Sequence, residues 1–312
     1  MASPSVVAVG EVLWDATPSG LFLGGAPCNV AVHLRQLGCT SSVVARLGQD
    51  DLGDEAVLRL TERGVDTAHV QRDSAHPTGF VRVTFKDSEP SYVIRPAAWD
   101  HLLATEDALE AAKQADALVF GSLAQRETEA RAAVQRMATA NRHPVFDVNF
   151  RAPFVNREVV LTSAQLCWLL KLNEHEAAEV ASDWLALAPA SASAPQLARA
   201  LGAHFHCHCV VTCGSKGAAL SLLDSGRVVA HSGCRVSAVD AVGAGDAFLA
   251  TLLEGLLRDA DAAPLQLLAR ANAVGAFVAT CPGATPSLDM RAIQTLVDSS
   301  PPAWDATLES AL

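Results

Sequence analysis

The feature that most constrains this chain is an alternation. Short β-rich runs such as Val6-Val7-Ala8-Val9 are followed repeatedly by Ala- and Leu-rich stretches with apolar residues at helical spacing. That pattern predicts an α/β fold, a mostly parallel sheet with helices on both faces. Strands are expected over 6–10, 42–45, 117–120, 144–150 and 208–212. Helices are expected over 29–37, stopped by Gly38, and over 53–63, stopped by Gly64. Residues 15–27 read as a Gly- and Pro-rich loop. Residues 78–95 break the alternation: Phe80 to Phe85 and Tyr92 to Arg95 flank a polar turn, Lys86-Asp87-Ser88-Glu89-Pro90, which is an antiparallel hairpin signal. It is expected to belong to a small β-sheet standing apart from the main one, a candidate lid. Residues 186–195 are low in complexity and read as a surface linker, and 299–304 as a break before a loosely held tail.

At 312 residues, half of them hydrophobic and 18% charged, the chain can bury a large core and either form one α/β domain with a small appendage or split in two. The net charge of −11 argues against a nucleic-acid surface. If the chain binds a polyanion, the attraction must be local: helix N-termini, backbone N–H groups, a few cations. No signal-peptide pattern opens the chain, and the late apolar stretch from Ala247 to Leu257 is interrupted by Glu254 and too short to span a bilayer. Eight cysteines fit reduced thiols in a cytoplasmic protein better than a disulfide scaffold.

The strongest chemical signal is Val239-Asp240-Ala241-Val242-Gly243-Ala244-Gly245-Asp246-Ala247-Phe248, read as following a strand-like run and opening an apolar helix to about Leu257. Two glycines let backbone approach a ligand, successive N–H groups at a helix start face an anion, and Asp246 falls in the first turn beside it. A carboxylate there suits phosphoryl transfer to an alcohol: the base takes the hydroxyl proton while amides hold the transferring charge. A tight βα turn whose acid merely complements the helix dipole is the alternative. The G-x-x-x-x-G-K-[ST] phosphate loop is absent, and Phe248 occupies the third glycine position of a dinucleotide fingerprint.

Here the segment resembles the carboxyl-terminal signature, D-T-x-G-A-G-D, of the ribokinase-like (PfkB) carbohydrate kinases. The run Gly24-Gly25-Ala26-Pro27-Cys28-Asn29-Val30-Ala31 resembles their amino-terminal signature, and the resemblance extends from about residue 5 to 298. Gly10-Glu11-Val12-Leu13-Trp14-Asp15 and the Gly-Gly-Ala-Pro-x-Asn run look most like fructokinases. The resemblance implies a single ribokinase-like domain over 1–312, doubly wound, with a β lid from about 12–25 and 76–98. It implies that Asp15, Gly25 and Asn29 contact sugar hydroxyls; Asn29 capping the helix at 29–37 is an alternative that does not exclude this. Arg95 is either a further lid contact or a solvated strand end.

Phe146-Asp147-Val148-Asn149-Phe150-Arg151 alternates, placing Asp147, Asn149 and Arg151 on one side of a strand, either beside the phosphates and metal, as the family's D-x-N-x-R run implies, or at a surface edge. Asn173-Glu174-His175-Glu176 resembles the N-x-x-E motif that implies Mg²⁺ and phosphate organisation through water; a capping box between Asn173 and Glu176 is the local alternative. Thr212-Cys213-Gly214-Ser215-Lys216-Gly217 resembles the turn along the nucleotide, and Asn272 falls where the family packs adenine. By the same resemblance Asp240, Val242 and the loop near Gly283 would hold a monovalent cation such as K⁺, with Ala241 in place of the usual Thr. The His206-Cys207-His208-Cys209 run splits its ligand types between two faces of a strand and is read as a core strand entry.

The expectation is therefore a cytoplasmic ATP- and Mg²⁺-dependent sugar kinase acting on a primary hydroxyl, with Asp246 as base and the amides of Gly243, Ala244, Gly245 and Asp246 as the anion site. Fructose is the first substrate; 2-keto-3-deoxygluconate, ribose, a nucleoside, or a non-catalytic binding role are the alternatives. Neither nucleic acid nor membrane is expected as partner, and an exposed lid could pair two copies.

Overall fold

The computed structural model describes residues 3–17, 20–86, 89–258 and 263–307. In chain order the strands are β1 (Ser5–Val9), β2 (Leu13–Thr17), β3 (Gly20–Gly24), β4 (Thr40–Gly48), β5 (Val70–Asp73), β6 (Gly79–Lys86), β7 (Glu89–Ile94), β8 (Ala117–Gly121), β9 (Pro144–Asp147), β10 (Leu169–Asn173), β11 (His208–Thr212), β12 (Ala218–Ser221), β13 (Val228–His231) and β14 (Trp304–Asp305). The helices are α1 (Ala26–Gln36), α2 (Asp51–Glu62), α3 (Glu106–Gln114), α4 (Thr128–Ala140), α5 (Arg157–Leu166), α6 (Glu174–Ala178), α7 (Ala194–Phe205), α8 (Ala244–Arg258), α9 (Pro264–Ala279) and α10 (Met290–Ser299).

Ten strands form the main sheet in the order β14-β13-β12-β11-β10-β9-β8-β1-β4-β5, parallel from β5 through β11 and antiparallel beyond. The strand period of two sorts its core. Val7, Val9, Leu118, Phe120, Phe146, Leu170 and Leu172 pack against α3, α4, α5 and α7. Their neighbours Val6, Ala117, Val119, Val145 and Leu169 pack on the other face against α1, α8 and α9. The chain runs outward from β1 to β4 and β5, then crosses back to β8 on the other side of β1, making a switch point at the carboxyl ends of β1 and β8. Ligands in open α/β sheets bind at such crevices.

A second sheet, β3-β2-β6-β7, is drawn from the two segments expected to supply a separate small sheet. Leu13 through Ala16 pair with β3 on one side and β6 on the other. Of the expected hairpin turn, Asp87 and Ser88 lie outside the described residues.

Four local readings change. The expected loop over 15–27 is a hairpin, β2–β3, running straight into α1; Pro27 sits in that helix's first turn, where a missing N–H costs nothing, so the helix begins three residues earlier than expected. The strand expected over 144–150 ends at Asp147, and Asn149 takes a left-handed φ of 46°, so Asp147, Asn149 and Arg151 are not one face of a strand. Residues 232–239, before the Gly243 turn, carry no strand. Beyond the Pro/Ser break, β14 adds to the sheet edge on β13 and Ala306 is fully buried. No helix among the described residues is long and apolar enough to cross a membrane.

Candidate active site

The turn into α8 is built by its own side chains. Asp240 accepts the amide of Val242 at 3.0 Å through one oxygen and that of Gly283 at 3.1 Å through the other. Gly243 takes φ 78°, and a Cβ there would lie 2.2 Å from the Ala284 carbonyl oxygen, so only glycine fits. The Ala244 amide folds back onto the Ala241 carbonyl at 3.3 Å. The amides of Gly243, Gly245 and Asp246 donate to no acceptor among the described residues, whereas that of Ala244 is taken up within its own loop.

Asp246 lies in the first turn of α8, 9% exposed. Its Oδ2 accepts from Asn29 Nδ2 at 2.8 Å, a buried contact between residues 217 apart in sequence. Burial, then the negative Asp147, push its pKa up from 3.8 to about 6, against the pull of Asn29, Lys171 and Arg151. Asn29 lies inside the first turn of α1, where Gly25 is the cap residue, so its side chain is free of capping and turns to Asp246. Its Oδ1 is buried without a partner.

Two more carboxylates converge here. Asp15, on β2, is raised to about 6, and Glu11, after β1, to about 7, in both cases by burial first, with Arg151 lowering and Asp246 raising them further. Gly24 and Gly25 permit this crowding: a Cβ would meet Asp15 Oδ2 at 2.3 Å or the Glu11 carbonyl oxygen at 2.2 Å. Arg151 therefore acts on the acids of both sheets.

At the carboxyl ends of β9 and β10, Asp147 and Lys171 are register partners and pair through Lys171 Nζ at 2.8 and 2.9 Å, both buried. Lys171 also borders Gly245 and acts electrostatically on Asp246. Burial lowers its pKa, but Asp147 and Glu176 outweigh that and hold it above the usual value. Glu176 accepts amides of Asn173 at 2.9 Å and Phe150 at 2.8 Å, while Asn173 accepts that of Glu176. The capping box is real, and it also pins the chain leaving β9.

Along the next strand Thr212 stands opposite Asn173, and Gly214 takes φ 56° with open space around it. Gly217 instead faces the His231 carbonyl oxygen, 1.8 Å from where a Cβ would lie, so its freedom serves packing on β13. Asn272 is buried on α9, its amide turned to Leu268 of its own helix at 2.8 Å. Arg95 joins none of these groups. Its side chain is exposed and its carbonyl accepts from Arg126 at 2.8 Å.

The pfkB family carbohydrate kinase model matches residues 11–291. The chain belongs to the pfkB family of carbohydrate kinases. It is 30% identical over 310 residues to the fructokinase of Escherichia coli, covering 93% of this chain and 97% of that one. Its fold superposes with TM-score 0.79 on a fructokinase from Vibrio cholerae O395, solved as a double mutant with fructose, ADP and potassium ion bound, at 26% identity over 95% and 99% of the two chains. It superposes with TM-score 0.75 on aminoimidazole riboside kinase from Salmonella enterica, complexed with aminoimidazole riboside and an ATP analog, at 26% identity over 94% and 99%. As a pfkB kinase this protein is a sugar phosphotransferase.

Two groups in this kinase's cluster escaped the sequence reading. Lys171 had a signal: it is the one charge in the apolar run Leu169-Leu170-Lys171-Leu172. Glu11, 4% exposed with a buried unpartnered Oε2, had only its place in the fructokinase-like run from Gly10 to Asp15, with no role attached to it.

Proposed function

We propose that this pfkB kinase transfers the γ-phosphate of ATP to a primary hydroxyl of a sugar, with fructose as the first acceptor. The observation that carries it is the buried Asn29–Asp246 contact, which joins the two signature segments beside three amides without acceptors. In this reading Asp15, Asn29 and the backbone at Gly25 bind the sugar beneath the small sheet acting as lid. Asp246 accepts the proton of the attacking hydroxyl. The amides of Gly243, Gly245 and Asp246 hold the transferring phosphoryl, and Lys171 adds the nearest buried positive charge. Thr212, Gly214 and Asn173 line the nucleotide side, with Asn272 towards adenine. Lid closure excludes water that would otherwise hydrolyse ATP.

The residues fit Mg²⁺ through water: Asp147 is paired to Lys171 and both Glu176 oxygens take amides, which leaves their remaining lone pairs to accept from ordered water around the ion. Mg²⁺ would neutralise phosphate charge there. Asp240, Val242 and Gly283 lie together and would hold a monovalent cation beside the anion turn.

Fructose is favoured by the curated fructokinase relatives. Among the described residues Phe22 is the one aromatic ring on the cavity beside Asn29, which favours a sugar over a nucleoside. 2-Keto-3-deoxygluconate and ribose are the neighbouring acceptors. A non-catalytic role is disfavoured by the intact aspartate and glycine turn. The outer lid carries exposed Leu21, Phe80 and Val93, which supports pairing of two copies through it. All eight cysteines are free, which supports a reducing, cytoplasmic setting. The test is ADP release over a panel of ketoses, aldoses and nucleosides, with and without potassium. Among neutral acceptors the greatest kcat/KM is expected for fructose with potassium; ADP release unaffected by any sugar would refute the proposal.

A further inference from the structure

A cavity of about 530 Å³ lies along β3, walled by α1, α2 and the 282–287 loop. Its buried end is Cys28 and Asn29, the residue that holds Asp246; its exposed end is Arg59 and Arg63. Among the described residues the lining contains two arginines and no aspartate or glutamate, in a chain of net charge −11. Arg59 shares an exposed contact with Glu55 at 2.7 Å, an ion pair of small worth in water. Arg63 pairs with no carboxylate among the described residues. Its Nη1 donates to the Thr285 carbonyl and hydroxyl at 2.9 and 2.5 Å, which fixes the guanidinium against the loop. His33 and Gln36 donate to the Ala284 and Pro286 carbonyls of that loop at 3.0 and 3.1 Å. The wall is therefore built and not adventitious. Asn29 both lines this cavity and donates to Asp246, so the cavity adjoins the acceptor site at its buried end.

We propose that this cavity is an oxyanion subsite, taking a carboxylate or phosphate between Arg63 and Arg59, with the acceptor sugar as its carrier. The inference rests on reading Asn29 and Asp246 as the acceptor site. A guanidinium fork suits both oxyanions, and a sugar reaching from Asp246 past Asn29 places its far end there. A neutral hexose leaves the arginines unused.

The test uses the full chain and its Arg63→Met, Arg63→Lys and Arg59→Met variants. ADP release is measured with fructose, 2-keto-3-deoxygluconate and fructose 6-phosphate. Thermal stabilisation by inorganic phosphate and by 2-keto-3-deoxygluconate is measured without nucleotide. An anionic sugar should exceed fructose in kcat/KM by about tenfold or more, and Arg63→Met should remove about tenfold of that ratio, partly restored by Arg63→Lys. Phosphate alone stabilising the wild type through Arg63, with no preference among sugars, would keep the subsite and make its carrier a free anion. The proposal is overturned if Arg63→Met leaves both the acid-to-neutral ratio and the phosphate stabilisation at wild-type levels, or if the wild type shows neither. Absence of ADP with every acceptor counts against the kinase reading, while the phosphate measurement still decides the subsite.

Discussion

Asp246 sits among opposing fields, and their balance is measurable. Its folded pKa of about 6 lies above its ordinary 3.8, so the fold favours the protonated form. That contribution to stability is fully present below pH 3.8 and is lost as pH rises through 6. Two outcomes follow. The kcat/KM of the enzyme should fall on the acid side with an apparent pKa near 6, and a profile flat down to pH 4.5 would exclude Asp246 as the titrating base. Asp246→Asn should lower kcat by about 10²–10⁴-fold. The same variant should be more stable than the wild type at pH 8, by on the order of 1–3 kcal/mol, with the gain vanishing near pH 4. Denaturant titrations at the two pH values check it. Lys171 behaves differently because it is half of a buried pair. Lys171→Met strands Asp147 and should cost about 3–5 kcal/mol. Adding Asp147→Leu should return much of that stability while turnover stays low, which separates the charge's part in folding from its part at the phosphoryl group.

At the scale of elements, the turn before α8 and the loop after β11 use glycine for different reasons. Gly243 is forced by the Ala284 backbone, whereas Gly214 faces open space. Gly243→Ala should displace the 284 segment, lowering kcat by about 10²-fold and stability by roughly 1–3 kcal/mol. Gly214→Ala should cost about 1 kcal/mol or less in folding and show itself mainly in the KM for ATP. Thermal melts and ATP saturation curves distinguish the two. From sequence all these glycines read alike, because composition states what backbone can do and not what stands opposite. The same blindness overextends β9: Phe146 to Arg151 alternates well, but the last bond to the neighbouring strand is from the Val148 amide to the Lys171 carbonyl, and the Glu176 carboxylate then takes the Phe150 amide. Local pattern alone reads the β2–β3 hairpin as loop, because its glycines and Pro27 mask Leu21, Phe22 and Leu23; the family resemblance is what places β structure over 12–25.

At the scale of the whole molecule, the small sheet leaves Phe80 and Val93 exposed at 36% and 46%. If two copies pair there, the wild type should sediment as a dimer and Phe80→Ser/Val93→Ser as a monomer of unchanged secondary structure. A monomeric wild type at tens of micromolar would end that reading.

The sequence by itself determined the βα alternation, the two glycine-bearing signatures and Asp246 in a first helical turn. These are local facts: spacing and residue type act over a few residues and need no partner. Only the tertiary structure decided that Asn29 reaches Asp246, that Lys171 neutralises Asp147 beside Gly245 and that two arginines line a cavity with Asn29. Each depends on segments up to 251 residues apart, such as His33 and Ala284, being packed into one place. Burial and charge proximity then reset what each group can do.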